Sequence, residues 1–164
     1  MSQSPLFIAL GTNLGDRVAN LAEARRRISQ HFQIIRTSHL YETPPWGITD
    51  QPAFYNQVIE TYADTDPLDL LQLVKYMEVE MGRVPGLRYG PRLIDIDLLV
   101  YGERVLETAE LSLPHPRLFE RAFVLVPFAE ITPDLIPPTQ PLSVAALCSR
   151  LDTSGILRLE EPYA

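Results

Sequence analysis

Two aspartates separated by one residue, Asp95 and Asp97, close a basic, turn-forming stretch that reads Arg88-Tyr89-Gly90-Pro91-Arg92-Leu93-Ile94-Asp95-Ile96-Asp97-Leu98-Leu99. Residues 93–101 have the apolar and β-branched content of a strand. In a strand, residues two apart share a face and lie roughly 6.5 Å apart. Asp95 and Asp97 therefore point one way, and Ile94, Ile96 and Leu98 the other. Carboxylates so spaced can hold hard divalent cations through oxygen, and arginine is suited to a bidentate grip on phosphate. Together they point to a metal–polyphosphate site. The plain alternative is the wet side of a half-exposed strand. Against it, Asp is depleted in strands, Leu99 continues the aspartate face with an apolar residue, and Arg88 and Arg92 stand just upstream.

Other residues have types and settings that could serve such a site. Gly11-Thr12-Asn13-Leu14-Gly15 is a strand-to-helix turn. It reads as a plain turn more readily than as a phosphate cradle, because the phosphate-loop lysine is missing. Thr43-Pro44-Pro45-Trp46-Gly47 opens a stiff loop running to about Pro52, suited to a pocket wall or to covering core. Phe54 and Asn56 share a strand face, and an aromatic beside an amide can read a flat heterocycle. Glu78 lies beside the apolar stripe of a helix, where a carboxylate needs a partner. Arg83, Pro85, Gly86 and Arg88 form a basic loop. His115 sits between two prolines and can offer an Nε2–H to a phosphate. Arg121 and Phe123 follow on a short helical segment.

The elements that must position these residues fit one 164-residue domain, 1–164, with 46% hydrophobic residues and a net charge of −7. Such an acidic chain is a poor partner for nucleic acid or anionic membranes, and no apolar run approaches a membrane span. Cys148 is the single cysteine, set among Val144, Ala145, Ala146 and Leu147, so it reads as a small buried hydrophobe. A cytoplasmic setting is expected.

Strands are expected at 6–10, 34–41, 54–62 and 93–101. Helices are expected at 17–31, capped by Asp16, and from the Asp66-Pro67 start to a stop at Gly82. The first helix should bury Leu14, Val18, Leu21, Ile28 and Phe32, with Arg25, Arg26 and Arg27 as a solvated face. The second should bury Leu70, Leu71, Val74, Met77 and Met81. Gly102-Glu103 reads as a hairpin turn with 104–106 returning, the later prolines (Pro127 among them) as punctuation, 143–151 as a last helix, and the tail from Asp152 as peripheral. The order makes an α+β, ferredoxin-like α/β sandwich with a mainly antiparallel sheet flanked by helices.

The 88–99 stretch resembles the signature of the 6-hydroxymethyl-7,8-dihydropterin pyrophosphokinase family of folate biosynthesis. Gly11-Thr12-Asn13-Leu14, the segment 41–47, Asn56, Gly82-Arg83, Leu113-Pro114-His115-Pro116-Arg117 and Arg121-Ala122-Phe123 fall in family order. The resemblance implies transfer of pyrophosphate from ATP to the pterin hydroxymethyl, releasing AMP. It implies two Mg²⁺ ions on Asp95 and Asp97, with Arg83 and Arg92 joining them as catalytic residues. Arg83, Arg88, Tyr89, Arg92, His115 and Arg121 would contact the nucleotide, with Glu78, Leu99 and Ser112 near adenosine. The pterin would stack between Phe54 and Phe123, its edge met by Asn56, Asp95 and the wall from Thr43 through Pro45 to Trp46. ATP and the pterin are the expected partners; a monomer is expected, with a dimer left open.

The chain also departs from the family pattern: Pro85 replaces a basic residue, Tyr89 a tryptophan, Phe54 a tyrosine, and Glu110 an arginine, and the 83–92 loop is one residue shorter. Two rival readings are a non-catalytic pterin- or nucleotide-binding module and an Asp-x-Asp metal-dependent glycosyl- or nucleotidyl-transferase.

Overall fold

The computed structural model describes residues 3–45, 49–83 and 91–160. Trp46, Arg88 and Tyr89 lie outside the described residues. In chain order run β1 (Ser4–Thr12), α1 (Arg17–Ser29), β2 (Ile34–Thr37), β3 (Tyr41–Thr43), β4 (Phe54–Ala63), α2 (Pro67–Glu80), β5 (Asp95–Tyr101), β6 (Leu106–Glu107), β7 (Ser112–Leu113), α3 (Ala122–Ile131), α4 (Val144–Cys148) and β8 (Leu157–Arg158). The main sheet has the order β5-β1-β4-β3-β8, with β2 also along β4, and every described ladder is antiparallel. This is the expected α+β sandwich.

Strand β1 reads as an unbroken apolar run because both its faces are covered. Leu6, Ile8 and Leu10 pack with Leu21 and Ile28 of α1 and Leu70, Val74 and Met77 of α2. Phe7 points the other way, toward Leu125 and Phe128 of α3 and Val144 and Leu147 of α4. Phe7 and Phe128 meet at 5.0 Å between ring centroids. Farther along that face β1 carries only Ala9 and Gly11. Their cross-strand partners are Val58 and Asn56 on β4, and Asp97 and Asp95 on β5. With strands about 4.8 Å apart, small residues leave a floor between the Asn56 side and the aspartate side.

The helix ends follow the sequence signals. The Asp16 side chain accepts from Ala19 N at 3.0 Å, and that of Asp66 from Leu68 N at 3.0 Å with Pro67 in the first turn. Gly82 leaves α2 at φ +99°, which a side chain would strain, and Arg83 N then donates to Glu78 O at 3.0 Å.

Several expectations are corrected. The strand expected at 34–41 is two strands, because Ser38 turns out of the ladder to hold β4: its N donates to Val58 O and its Oγ accepts from Val58 N. Residues 104–106 do not return along β5. Leu106–Glu107 pairs with Ser112–Leu113, and β1 is the neighbour of β5 in the sheet. Pro127 lies inside α3, where a largely apolar helix packed against the sheet tolerates one missing N–H. The tail supplies β8, whose Leu157 and Arg158 pair with Glu42 and Tyr41.

On α1, Leu14 and Val18 are exposed, while Leu21, Ala24, Arg25 and Ile28 are buried. Arg25 is no solvated residue. Its Nη1 donates to Gln57 Oε1 at 2.7 Å, and Gln57 Nε2 donates to Ser38 O at 2.8 Å. Gln57 is fully buried, so its amide satisfies a guanidinium and a carbonyl at once.

Gln57→Leu keeps the volume and removes both bonds, one of them to a charged group. Such bonds contribute roughly 0.5–3 kcal/mol each, so the substitution should lower stability by about 2–4 kcal/mol. Urea unfolding should show a lower midpoint with an unchanged slope.

Candidate active site

The floor of Ala9 and Gly11 opens into a cavity of about 240 Å³, also lined by Thr43, Pro44, Phe54, Asn56, Arg83, Arg92, Asp95, Asp97, His115, Arg121 and Phe123. Ten residues singled out from sequence thus meet in one place, drawn from β3, β4, β5 and the segment before it, the end of α2, the start of α3 and the segment between β7 and α3. Of the remaining four in the described chain, Leu99 is buried in the core beneath α3 and Ser112 lies on β7. Pro44, and not Pro45, lines the wall. Glu78 is only 2% exposed and sits behind the wall.

The carboxylate end is held by arginines. Arg83 Nη2 lies 3.2 Å from Asp95 Oδ1, and Arg92 Nε 3.8 Å from the same oxygen. Arg83 Nη1 reaches Glu78 Oε1 at 2.7 Å. Burial and the neighbouring Asp97 push the Asp95 carboxyl up to about 6, despite the opposing charges of Arg83 and Arg92. Two acidic groups crowded into a partly dry site are short of positive charge. Among the described residues no three His, Cys, Asp or Glu side chains form a metal cage. A cation taken here would meet two carboxylates and complete its shell from water or a ligand, the habit of Mg²⁺ at phosphate sites.

His115 is held on two sides. Its N donates to Leu99 O at 2.8 Å, and its Nδ1 accepts from Arg117 N at 3.2 Å. Nδ1 as acceptor leaves the hydrogen on Nε2. Burial holds the imidazole below its ordinary range, reinforced by Arg121, Lys75 and Arg117 against the pull of Asp97. It is therefore a neutral donor at pH 7. Arg121 stands 5.6 Å from the Phe123 ring, and its buried Nε has no hydrogen-bond partner among the described residues. A buried guanidinium nitrogen left so marks a place for an acceptor.

At the other end Asn56 Nδ2 donates to Thr43 Oγ1 at 2.6 Å. Its Oδ1 lies over Gly11, where an added Cβ would come within 2.7 Å of it. Gly11 is thus required by close approach.

Asn13, which in sequence is only part of a turn, is an organiser of the site. It is 1% exposed. Its Oδ1 accepts from Arg92 N at 2.7 Å, and its Nδ2 donates to Gln51 Oε1 at 2.9 Å and Pro52 O at 3.0 Å. It ties the loop beside Phe54 to the residue leading into β5. A polar side chain directly after a buried strand was the available signal.

Residues 7–133 match the model of the 7,8-dihydro-6-hydroxymethylpterin-pyrophosphokinase (HPPK) family. The chain is 41% identical over 156 residues to the 2-amino-4-hydroxy-6-hydroxymethyldihydropteridine pyrophosphokinase of Methylorubrum extorquens, covering 94% of this chain and 98% of that one. It is 42% identical to the Bacillus subtilis protein of the same name over 127 residues, 76% of each. It is also 39% identical over 147 residues to the folic acid synthesis protein fol1 of Pneumocystis carinii; these make up 89% of this chain but only about a fifth, 20%, of that longer relative. A crystal structure of wild-type Plasmodium falciparum HPPK-DHPS with pteroate superposes with a TM-score of 0.74 at 18% identity, over 91% of this chain and 42% of that one. That likeness concerns the fold.

The raised Asp95 sets a pH dependence. Between its ordinary value near 3.8 and about 6, the folded state binds the proton more tightly than the unfolded one. The stability Asp95 contributes is full below about pH 4 and lost as the pH rises through 6. Asp95→Asn should therefore melt higher than the parent at pH 8, with the gain fading to nothing near pH 4. Thermal denaturation of the ligand-free protein across this range checks it; a gain independent of pH would refute the assignment.

Proposed function

Since this chain belongs to the 7,8-dihydro-6-hydroxymethylpterin-pyrophosphokinase family, we propose that it transfers an intact pyrophosphoryl group from ATP to the hydroxymethyl oxygen of 6-hydroxymethyl-7,8-dihydropterin in folate synthesis. The observation that carries this reading is the meeting, in one cavity, of an aspartate pair, three arginines, a donor histidine and an amide–aromatic wall.

Asp95 and Asp97 would hold two Mg²⁺ ions, with the triphosphate and water completing their shells. The deficit of positive charge at Asp95 fits that assignment. When bound, the metal supplies charge neutralisation and a template for the triphosphate.

The rest falls to this chain's side chains. The substrate hydroxyl oxygen forms a bond to the β-phosphorus as the bond between that phosphorus and the α–β bridging oxygen breaks. AMP leaves and a proton is released from the hydroxyl, with Asp97 or water as its acceptor. Such transfer needs in-line positioning and charge neutralisation more than covalent help. Arg83, Arg92 and Arg121 supply fixed cations along the wall, and the unpartnered Arg121 Nε is a donor for a phosphate oxygen. His115 donates through Nε2 without adding charge. Phe54 and Phe123 offer apolar faces to the flat ring, and Asn56, turned by Thr43, meets its edge. No helix among the described residues is long and apolar enough to cross a membrane. A cytoplasmic monomer is proposed, although some plant relatives of this family are named mitochondrial.

Phosphorus NMR of Mg-ATP with the hydroxymethyl dihydropterin should show AMP and the pterin diphosphate. ADP formation, or no turnover by folded protein, would sink the reading. Asp97→Ala should fold and lose at least about a thousandfold in turnover, about 4 kcal/mol of barrier. Gly11→Ala should displace the Asn56 carbonyl and weaken pterin binding about tenfold, the worth of one hydrogen bond. Its nucleotide affinity should stay near the parent's, as calorimetric titration of each substrate can show.

A further inference from the structure

Resting on the reading of the cavity as a triphosphate site, we propose that Glu78 is a positioning residue. Its buried carboxylate holds Arg83 at the cavity wall and pins the backbone between the two aspartates, and it does not touch the nucleotide.

The geometry is specific. The Glu78 side chain is 3% exposed. Its Oε1 accepts from Arg83 Nη1 at 2.7 Å, and its Oε2 accepts from Ile96 N at 2.7 Å. Lys75 Nζ stands 3.4 Å away on the solvent side. With both oxygens engaged and almost no surface, the carboxylate has nothing left to present to a substrate. A buried carboxylate survives only if it is well paired, and here a guanidinium, an ammonium and a backbone N–H share the task. The need for a partner beside the apolar stripe of α2 is thereby met.

The two bonds act on the two halves of the phosphate site. Ile96 lies between Asp95 and Asp97, with its side chain fully buried on the opposite face. Fixing its N–H therefore fixes the height and facing of both carboxylates. Arg83 bridges Glu78 and Asp95, one nitrogen to each. When Nη2 leaves Asp95 for a phosphate oxygen, Nη1 keeps the cation at the wall. The backbone adds a second tether, since Arg83 N donates to Glu78 O after the turn at Gly82. Arg83 thus serves as the countercharge of Asp95 without being free to swing away.

Glu78→Gln tests this, since an amide of the same shape can accept from only one of the two donors. The variant should fold, by circular dichroism, as the parent does. Its kcat should fall about 10- to 100-fold with the KM for ATP changed less than about threefold. In the ligand-free protein, the Ile96 amide should exchange with deuterium at least about tenfold faster. In combination with Arg83→Ala the losses should not multiply, because both act through one guanidinium. Glu78→Asp, which keeps the charge but shortens the reach, should show the same exchange and kcat changes, and it stands in if the glutamine variant does not fold. A raised KM with unchanged kcat and an unchanged Ile96 exchange rate would overturn the proposal in favour of direct nucleotide contact. Should the parent release no AMP at all, the function proposed above would fall, and the Ile96 exchange rate alone would decide this inference.

Discussion

Crowded negative charge at one end of a strand is the constraint from which most of this architecture follows. Asp95 and Asp97 occupy the same face of β5, in a cleft dry enough to push Asp95 well above the ordinary carboxylate range. A site like this persists only if cations are brought to it and held. Arg83 comes from the end of α2, Arg92 from the segment before β5, and Arg121 from the start of α3. None can be delivered without a defined chain end, so the glycine stop of α2 and the Asn13 bond to Arg92 N are parts of the electrostatic design as much as of the fold. The net charge of the chain, −7, opposes an anionic ligand everywhere else, and local gathering of arginines offsets it here.

The second constraint is space. A sheet covered on both faces has no room for a ligand unless part of one face is left open. Where Phe7 meets Phe128 the sheet is closed; two and four residues on, Ala9 and Gly11 leave the floor clear. The same strand therefore serves as core and as cavity base, and its side-chain size along one face decides which.

Much of this was legible in the sequence. Period-two spacing placed Asp95 and Asp97 together, and Phe54 with Asn56, because strand geometry is local. Asp16, Asp66-Pro67 and Gly82 marked helix ends through equally local hydrogen-bond needs. What stayed hidden depends on partners distant in the chain. Arg25, in a run of three arginines, is buried where its guanidinium meets the Gln57 amide, itself bonded to Ser38. The role of Asn13 exists only once residues 51, 52 and 92 are adjacent. Glu78 was recognisable as a carboxylate in need of a partner, but no pattern could say that the partner is the backbone of Ile96. The two-residue strands β6, β7 and β8 are too short for periodicity to register.

Strand β5 lies at the edge of the sheet. Exposed edges are a hazard for soluble proteins, because their unpaired amides and carbonyls invite a strand from another chain. Here two of the outward groups are engaged beside the cavity: Ile96 N by the Glu78 carboxylate and Leu99 O by His115 N. The side chain and backbone that border the carboxylate end of the cavity therefore also cover part of this margin. One pair of hydrogen bonds thus serves both the cavity and the margin of the sheet.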